Sequence, residues 1–341
     1  MKKVVIVWPG FTGYLAGPWK ELARKVYLKI YIEPSAHEQH FTGEELEGLD
    51  WRRANSLDEF RVCVEEIKDF RPDILLSCGW STPFCHLVGE TPIKTKKIFC
   101  FDMPWEWRLR KIVARWILWK YLRNFDIAFV PGARTSKYAR WLGFKHIVEG
   151  SNPSGWERFH STAKCNKVKD NTGPRRCFLF AGRFVKNKGI DILCSAYKQY
   201  RQIVPCPWGL DLVGSGGELP SLTEGVNVVG FVAPKDMPQV FAKHGAFVLP
   251  SRWEPWGISA TEAMCAGLPV IASDACGFTS DISPTVLVKA GDINSLTAAL
   301  RHVHELCDEG NISVTAAQDA ILAHYSDAAW ANRVVSMLEG R

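Results

Sequence analysis

No stretch of the 341-residue sequence stays apolar for the roughly 20 residues that a membrane-spanning helix needs, because charged residues interrupt every hydrophobic run. A spanning helix is not expected. The start, MKKVVIVWPGFTG, has two lysines and a short apolar run but no small-residue cleavage site, so it reads as a first strand entering a glycine turn. The 11 cysteines are odd in number and contain no Cys-x-x-Cys pair, which argues against a zinc ribbon and a disulfide scaffold. Reduced, mostly buried thiols in an intracellular, cytoplasmic protein are expected. The pairs His37/His40 and His302/His304 lack a neighbouring cysteine or carboxylate to complete a ligand set, so they read as surface or cap residues and no metal site is expected. Tandem repeats and low-complexity tracts are also missing.

What is present is an ordinary globular composition, 47% hydrophobic and 23% charged, which excludes disorder and collagen. The length fits two domains. The net charge of +6 is mild but uneven: residues 1–160 carry 25 Lys+Arg against 19 Asp+Glu, and residues 161–341 carry 17 against 17. Ten of the 14 tryptophans also lie in the first part. The two halves therefore face different chemistry.

Short β-rich runs alternate with helical patterns along almost the whole chain, the signature of parallel sheets with crossover helices. In the first half the strands are KVVIVW at 3, LKIYIE at 28, DILLSC at 73, KIFCFD at 97, DIAFVP at 126 and HIVEG at 146. Ser56 and Glu59 have capping-box spacing ahead of a helix. Residues 151–175 collect Ser, Asn, Gly, Pro and Lys without a sustained period and read as a linker. RCFLFAG, LDLVGSG, VNVVGFV, AFVLPS, LPVIAS and TVLVKA then repeat the strand pattern. Two α/β domains are expected, 1–150 and 176–325, with a last helix over 326–341 returning toward the first. Ligands of such sheets bind beyond the carboxyl ends of the strands, so the loops there should carry function.

The richest segment is SRWEPWGISATEAMCAGLPVIASDACG, 251–277. A strand ends at Pro250, a turn carries Glu254, Pro255 and Trp256, and a helix runs to Gly267, whose position suits a left-handed cap. The amides of Trp256, Gly257 and Ile258 would be donors at a helix N-terminus, which attracts phosphate. Glu254 and Glu262 bracket that anion site; a lone pair of this kind could equally be a dipole partner and a solvated face. GRFVKNKG, 182–189, places Arg183 and Lys188 on another strand-end loop. Two cations on the same edge as a phosphate-binding helix can neutralise a departing diphosphate without metal. No Asp-x-Asp pair, a common sign of a metal-held nucleotide sugar, occurs anywhere.

In the order of these motifs the chain resembles the retaining family-4 glycosyltransferases of GT-B fold. The resemblance runs from Gly10, Gly13 and Gly17, through NPSGWERF, GRFVKNKG, LVGSG and VVGFV, to EPWGISATEAMCAGLPVIAS and the AAWANRVV helix. It implies an α/β GT-B fold of two Rossmann-like domains facing across a cleft. It also implies a hexosyltransferase moving sugar from a nucleoside diphosphate sugar, its co-substrate, to a hydroxyl of a glycan or glycolipid of the polysaccharide or lipopolysaccharide type. No other cofactor is implied. By the resemblance Arg183, Lys188 and the amides of Trp256, Gly257 and Ile258 hold the diphosphate, and Glu262 binds ribose. Glu254 contacts the transferred sugar, Gly13 lets the first domain's backbone approach the donor phosphate, and Phe231 and Val232 receive the base. Many relatives place a histidine near the sugar where this chain has Asp102, in FDMPWEW. Asp102 then either acts in the site or caps a helix starting near Pro104.

The stretch 94–145 has 13 Lys+Arg against three acids, and mixes Trp105, Trp107, Trp116 and Trp119 with Arg108, Arg110, Lys111, Arg115, Lys120 and Arg123. A helix of this composition can lie on an anionic membrane surface. It can also be a crossover helix whose Leu109, Ile112, Val113 and Trp116 pack on the sheet. The expectation for Trp105, Arg108, Arg110, Lys111 and Arg115 is an acceptor or membrane side, peripheral on the inner face of the membrane. Nucleic acid is not an expected partner, because no recognition module accompanies the basic patch.

A catalytically inactive GT-B scaffold that binds nucleotide sugar or glycolipid is the alternative reading. A dehydrogenase suggested by LVGSGGELP is disfavoured, because Leu219 stands where the dinucleotide fingerprint needs Gly or Ala.

Overall fold

The computed structural model describes residues 1–35, 43–80, 82–106, 108–169, 175–217 and 219–339, with Arg110 and residues 163–169 and 175 described by their backbone alone. His37, His40 and Trp107 lie outside the described residues, as does the side chain of Arg110. The chain divides into two compact units, Met1–Pro153 with Asp327–Arg341, and Ser154–Ser326.

The first unit contains β1 (Lys3–Pro9), α1 (Ala16–Ala23), β2 (Tyr27–Glu33), β3 (Asp50–Arg53), α2 (Leu57–Phe70), β4 (Ile74–Cys78) and α3 (Pro83–Glu90). It continues with β5 (Lys96–Cys100), α4 (Leu109–Leu122), β6 (Ile127–Val130), α5 (Ala133–Leu142) and β7 (His146–Glu149). Its sheet is parallel throughout, in the order β3-β2-β1-β4-β5-β6-β7. The continuous apolar run of β1 follows from helices on both faces. Val4 and Ile6 face a cluster with Trp19, Leu22 and Trp330, while Val5 and Val7 face Phe60, Cys63 and Phe84. Alternation along one strand thus feeds two layers of helix.

Sequence periodicity misses β3. Its residues, DWRR, pair only with β2 and alternate between exposed and half-buried, so no apolar run marks this edge strand. The capping box before α2 is half formed: Ser56 Oγ accepts from the Glu59 amide at 3.3 Å, but the Glu59 carboxylate accepts from Asn55 N at 2.7 Å.

The second unit contains α6 (Trp156–Lys169), β8 (Arg175–Ala181), α7 (Ile190–Ile203), β9 (Gly209–Val213), β10 (Val226–Gly230), α8 (Met237–Phe241) and β11 (His244–Leu249). Then come α9 (Ile258–Cys265), β12 (Val270–Ser273), β13 (Val286–Val288), α10 (Ile293–Asp308) and α11 (Thr315–His324). The sheet, again parallel, runs β10-β9-β8-β11-β12-β13. One correction concerns 151–175: most of this expected linker is helix α6, anchored by buried Phe159, which meets Phe241 of α8 edge to face at 5.3 Å. The spacing of Trp156 and Phe159 is the helical cue that the surrounding polar residues obscure.

The last helix, α12 (Asp327–Glu339), belongs to the first unit. Trp330 is fully buried there, donates Nε1–H to the Ser151 carbonyl at 2.9 Å and lies 5.8 Å from the Phe129 ring. Gly17 is not part of the turn after β1; it sits in α1, where a Cβ would come 1.9 Å from Asp327 Oδ2. The turn itself is made by Gly10, at φ 73°, and by the 3-10 turn that Gly13 opens.

Candidate active site

Strands β8, β9, β10 and β11 are parallel neighbours, so the loops after them lie along one edge of the second sheet. Glycines let these loops touch backbone to backbone. A Cβ on Gly214 would lie 1.9 Å from the Gly182 carbonyl oxygen, and one on Gly189 2.2 Å from that of Pro250. Main-chain bonds lock the contact: Gly182 N donates to Val213 at 3.0 Å, Phe184 N to Ser215 at 2.8 Å, and Arg252 N to Asn187 at 2.7 Å. Arg252 also grips the Asp191 carboxylate through two bonds of 2.6 Å, fixing the 182–189 loop against the one after β11.

On this frame Lys188 Nζ forms an ion pair with Glu254 Oε2. The Glu254 carboxylate is buried, and Ser251 Oγ donates to it at 3.5 Å. Glu254 is held from the other side by main-chain bonds, its amide to Ala275 at 3.3 Å and its carbonyl from Gly277 at 3.0 Å. Arg183, on the same loop as Lys188, is exposed and makes no ion pair among the described residues.

Gly257 is the N-cap of α9, at φ 111°, a region that favours glycine. A Cβ there would press on Phe278 at 2.9 Å and Leu249 at 3.2 Å. The first amides of α9 therefore start from a position only glycine fits, and they have no acceptor within the helix. The Trp256 ring is buried beside Tyr325, with centroids 5.0 Å apart, so only its main chain can serve a ligand. Gly267 closes the helix at φ 80°. Phe231 is exposed and Val232 half-buried in the loop after β10.

Glu262 lies inside α9 with 13% of its side chain exposed, and Arg158 Nη2 of α6 reaches its Oε1 at 3.3 Å. Burial pushes its carboxyl up to about 7, and the Arg158 guanidinium opposes that rise. Sequence reasoning missed Arg158, which is 104 residues away in the stretch read as linker. Cys276, next to Glu254 across an isolated bridge, is also buried, which pushes its thiol up to about 12 and makes it a poor nucleophile.

One further sequence reading changes. His304 is a core residue, not a surface one: its Nδ1 meets Tyr200 Oη at 2.5 Å, its Nε2 lies 3.3 Å from Asp308, and it stacks on Trp208. Among the described residues the ligand-type side chains that do cluster are Cys177, Asp211 and His244, all buried, with ligand atoms within 4.8 Å of one another. His244 presents Nδ1 to the Val240 carbonyl at 2.7 Å and Nε2 to Asp211 at 3.1 Å, so both ring nitrogens face oxygen acceptors. The cluster reads as an internal hydrogen-bonded group buried against β9 and β11.

In the first unit, Asp102 is exposed and does not cap the helix expected near Pro104, because α4 begins at Leu109 with Arg108 as its N-cap. Lys111 is buried: its Nζ donates to the Pro104 carbonyl at 2.7 Å and lies 3.2 Å from Glu106, so it is no surface cation. Arg108 also pairs with Glu106, at 3.0 Å, and Trp105 packs on Tyr138 and Trp141. Arg115 alone of this group combines exposure with no acidic partner among the described residues; it lies over the Trp116 and Trp141 rings. The crossover-helix expectation fails in detail too, since Leu109, Val113 and Trp116 are exposed.

Residues 175–305, which hold this edge, match the family model of glycosyl transferases group 1. The chain has the GT-B fold, and its residues 175–305 are similar to the glycosyl transferases group 1. Over 209 residues it is 33% identical to an uncharacterized 41.2 kDa protein in the cps region of Klebsiella pneumoniae, covering 59% of this chain and 54% of that one. The chain thus spans about half the length of that curated relative. A glycosyltransferase from Rickettsia africae superposes with a TM-score of 0.76 at 14% identity, over 99% of this chain and 98% of the other. Anabaena HepE in complex with UDP-glucose superposes at 0.73 with 14% identity, over 99% and 100%. Lys188, Glu254, Glu262 and the start of α9 stand on the matched stretch.

Proposed function

We propose that the chain transfers a hexosyl group from a nucleoside diphosphate sugar to a hydroxyl of a glycan or glycolipid, with retention and without metal. The observation that carries this reading is the buried Glu254 carboxylate paired with Lys188 on the strand-end edge, beside the glycine-capped start of α9. A lone buried carboxylate and a strand-end lysine would each be unremarkable. Together with a helix terminus they combine a cation for phosphate with an acceptor for sugar hydroxyls.

Cleavage of the donor leaves positive charge on the anomeric carbon and negative charge on the diphosphate. Arg183, Lys188 and the first amides of α9 stabilise the leaving diphosphate. Glu254 accepts hydrogen bonds from the sugar's hydroxyls once Lys188 turns toward phosphate, and Glu262 accepts from the ribose. The acceptor oxygen bonds to the anomeric carbon on the face that the diphosphate leaves, and its proton passes to a phosphate oxygen. Glycosidases instead set two carboxylates about one bond. Here both glutamates come from one segment and serve the donor. Gly13 and Asp102 are assigned to the first unit's share of the chemistry, Asp102 as an orienting carboxylate for sugar or acceptor.

The test is calorimetric titration with UDP, GDP and ADP, followed by transfer assays with the matching sugar nucleotides. Binding of one nucleotide, with transfer lost in Lys188→Ala, supports the reading. Nucleotide binding with no transfer to any acceptor favours the scaffold alternative, and unchanged turnover in Lys188→Ala overturns the assignment.

A further inference from the structure

Helix α4 is apolar on two opposite sides. Ala114, Leu118, Tyr121 and Leu122 turn inward to the cluster around Phe99 and Tyr138. On the other side Leu109 is 79% exposed, Trp116 72% and Ile117 73%, with Val113 and Trp119 exposed beside them. Leu109, Val113, Trp116 and Ile117, spaced by four, three and one, form one outward stripe on a helix of 3.6 residues per turn, and Trp119 flanks it. The inward face already satisfies the fold, so the outward stripe contributes nothing to it. Among the described residues the two exposed tryptophans are both on this helix.

The charged side chains of the helix segment itself have one sign. Residues 108–125, RLRKIVARWILWKYLRNF, contain six cations and no acid. Lys111 is buried, but Arg115, Lys120 and Arg123 are exposed along or beside the stripe. Arg115 and Arg123 lie over the Trp116 and Trp119 rings at 6.0 and 5.4 Å, which holds their charged heads close to the apolar surface. Next to the helix a cavity of about 370 Å³ is lined by three cations, Arg115, Arg123 and Lys145, against one acid, Asp126, with the apolar Trp119 and Leu122 among its walls. Cations above an apolar floor match a phosphate head group continuing into an acyl chain.

We propose that the outer face of α4 docks on an anionic lipid bilayer. Trp116, Ile117, Leu109 and Val113 enter the head-group and acyl boundary, and Arg115, Lys120 and Arg123 meet lipid phosphates. The helix lies in the surface plane, since its 14 residues are too few to span. Tryptophan and arginine are the residues that such a boundary favours. This assignment rests on the surface of the first unit alone and stands apart from the donor chemistry of the second.

The experiment is co-sedimentation of the full chain with vesicles of phosphatidylcholine alone and of equal parts phosphatidylglycerol and phosphatidylcholine, at low and high salt. Binding to the anionic vesicles that weakens with salt is expected. Trp116→Ser/Ile117→Ser should weaken it at least about tenfold, and Arg115→Gln/Arg123→Gln about fivefold per cation removed. Unchanged thermal unfolding of both variants shows that the fold is intact. No binding to anionic vesicles at low salt overturns the proposal, as does binding that both variants retain. Self-association of the wild type that Trp116→Ser/Ile117→Ser abolishes, without vesicle binding, assigns the face to a second copy and also overturns it. Vesicle binding is read without sugar transfer, so either reading can fail alone.

Discussion

Lys188 and Glu254, 66 residues apart, meet as an ion pair because the loops after β8 and β11 are neighbours on one sheet edge. The pair is mostly buried on the carboxylate side and partly open on the lysine side. Glu254 therefore depends on Lys188 for its compensating charge.

Removing the lysine should show this dependence. Lys188→Ala leaves a buried carboxylate without its cation and is expected to cost about 2 kcal/mol, below the about 3–5 kcal/mol of a fully buried pair. The double variant Lys188→Ala/Glu254→Gln should recover most of the loss. Denaturant unfolding of the three proteins measures it; equal stability of the single and double variants contradicts the coupling.

The raised Glu262 carboxyl predicts a pH dependence of opposite sign to that of an ordinary ion pair. Its folded value, about 7, exceeds the ordinary 4.5, so the native state binds the proton more tightly than the unfolded chain. Stability should fall as pH rises from about 4.5 to about 7, by at most about 3 kcal/mol. Glu262→Gln should flatten that window. Arg158→Ala, which removes the opposing cation, should raise the carboxyl further, as carbon NMR of the labelled glutamate would detect.

Gly257→Ala places a methyl in a positive-φ position against Phe278 and Leu249. A cost of about 2 kcal/mol is expected, with a weakened affinity for nucleoside diphosphate because the start of α9 must shift. Calorimetric titration with the preferred nucleotide would reveal an unaltered affinity if the helix start does not matter.

Trp330→Ala removes a fully buried ring and its bond to the Ser151 carbonyl, and is expected to destabilise the first unit by about 3–5 kcal/mol. Gly17→Ala should act at the same seam, since its Cβ would meet Asp327. Hydrogen exchange should show faster opening of α1 and α12 in both, and an unperturbed α12 would argue against the seam.

Among the described residues, twelve of the thirteen strands are legible in the sequence as short apolar or β-branched runs, most continuously where helices cover both faces, as on β1 and β11. The group 1 motifs around Arg183, Lys188 and Glu254 to Glu262 are legible because glycines, a helix start and charges recur at short spacing. Edge strand β3 and helix α6 are not, since their sequences are polar and their partners lie elsewhere in the chain.

Sequence alone thus determined the two-domain α/β architecture and the residue types of the strand-end edge of the second sheet. Tertiary structure decided which of those residues meet. It paired Lys188 with Glu254 and Arg158 with Glu262, buried Lys111 against Glu106, and turned Trp116 and Ile117 outward. The reason is physical: backbone patterns depend on near neighbours, whereas ion pairs and the choice between two apolar faces of α4 depend on what the fold brings alongside.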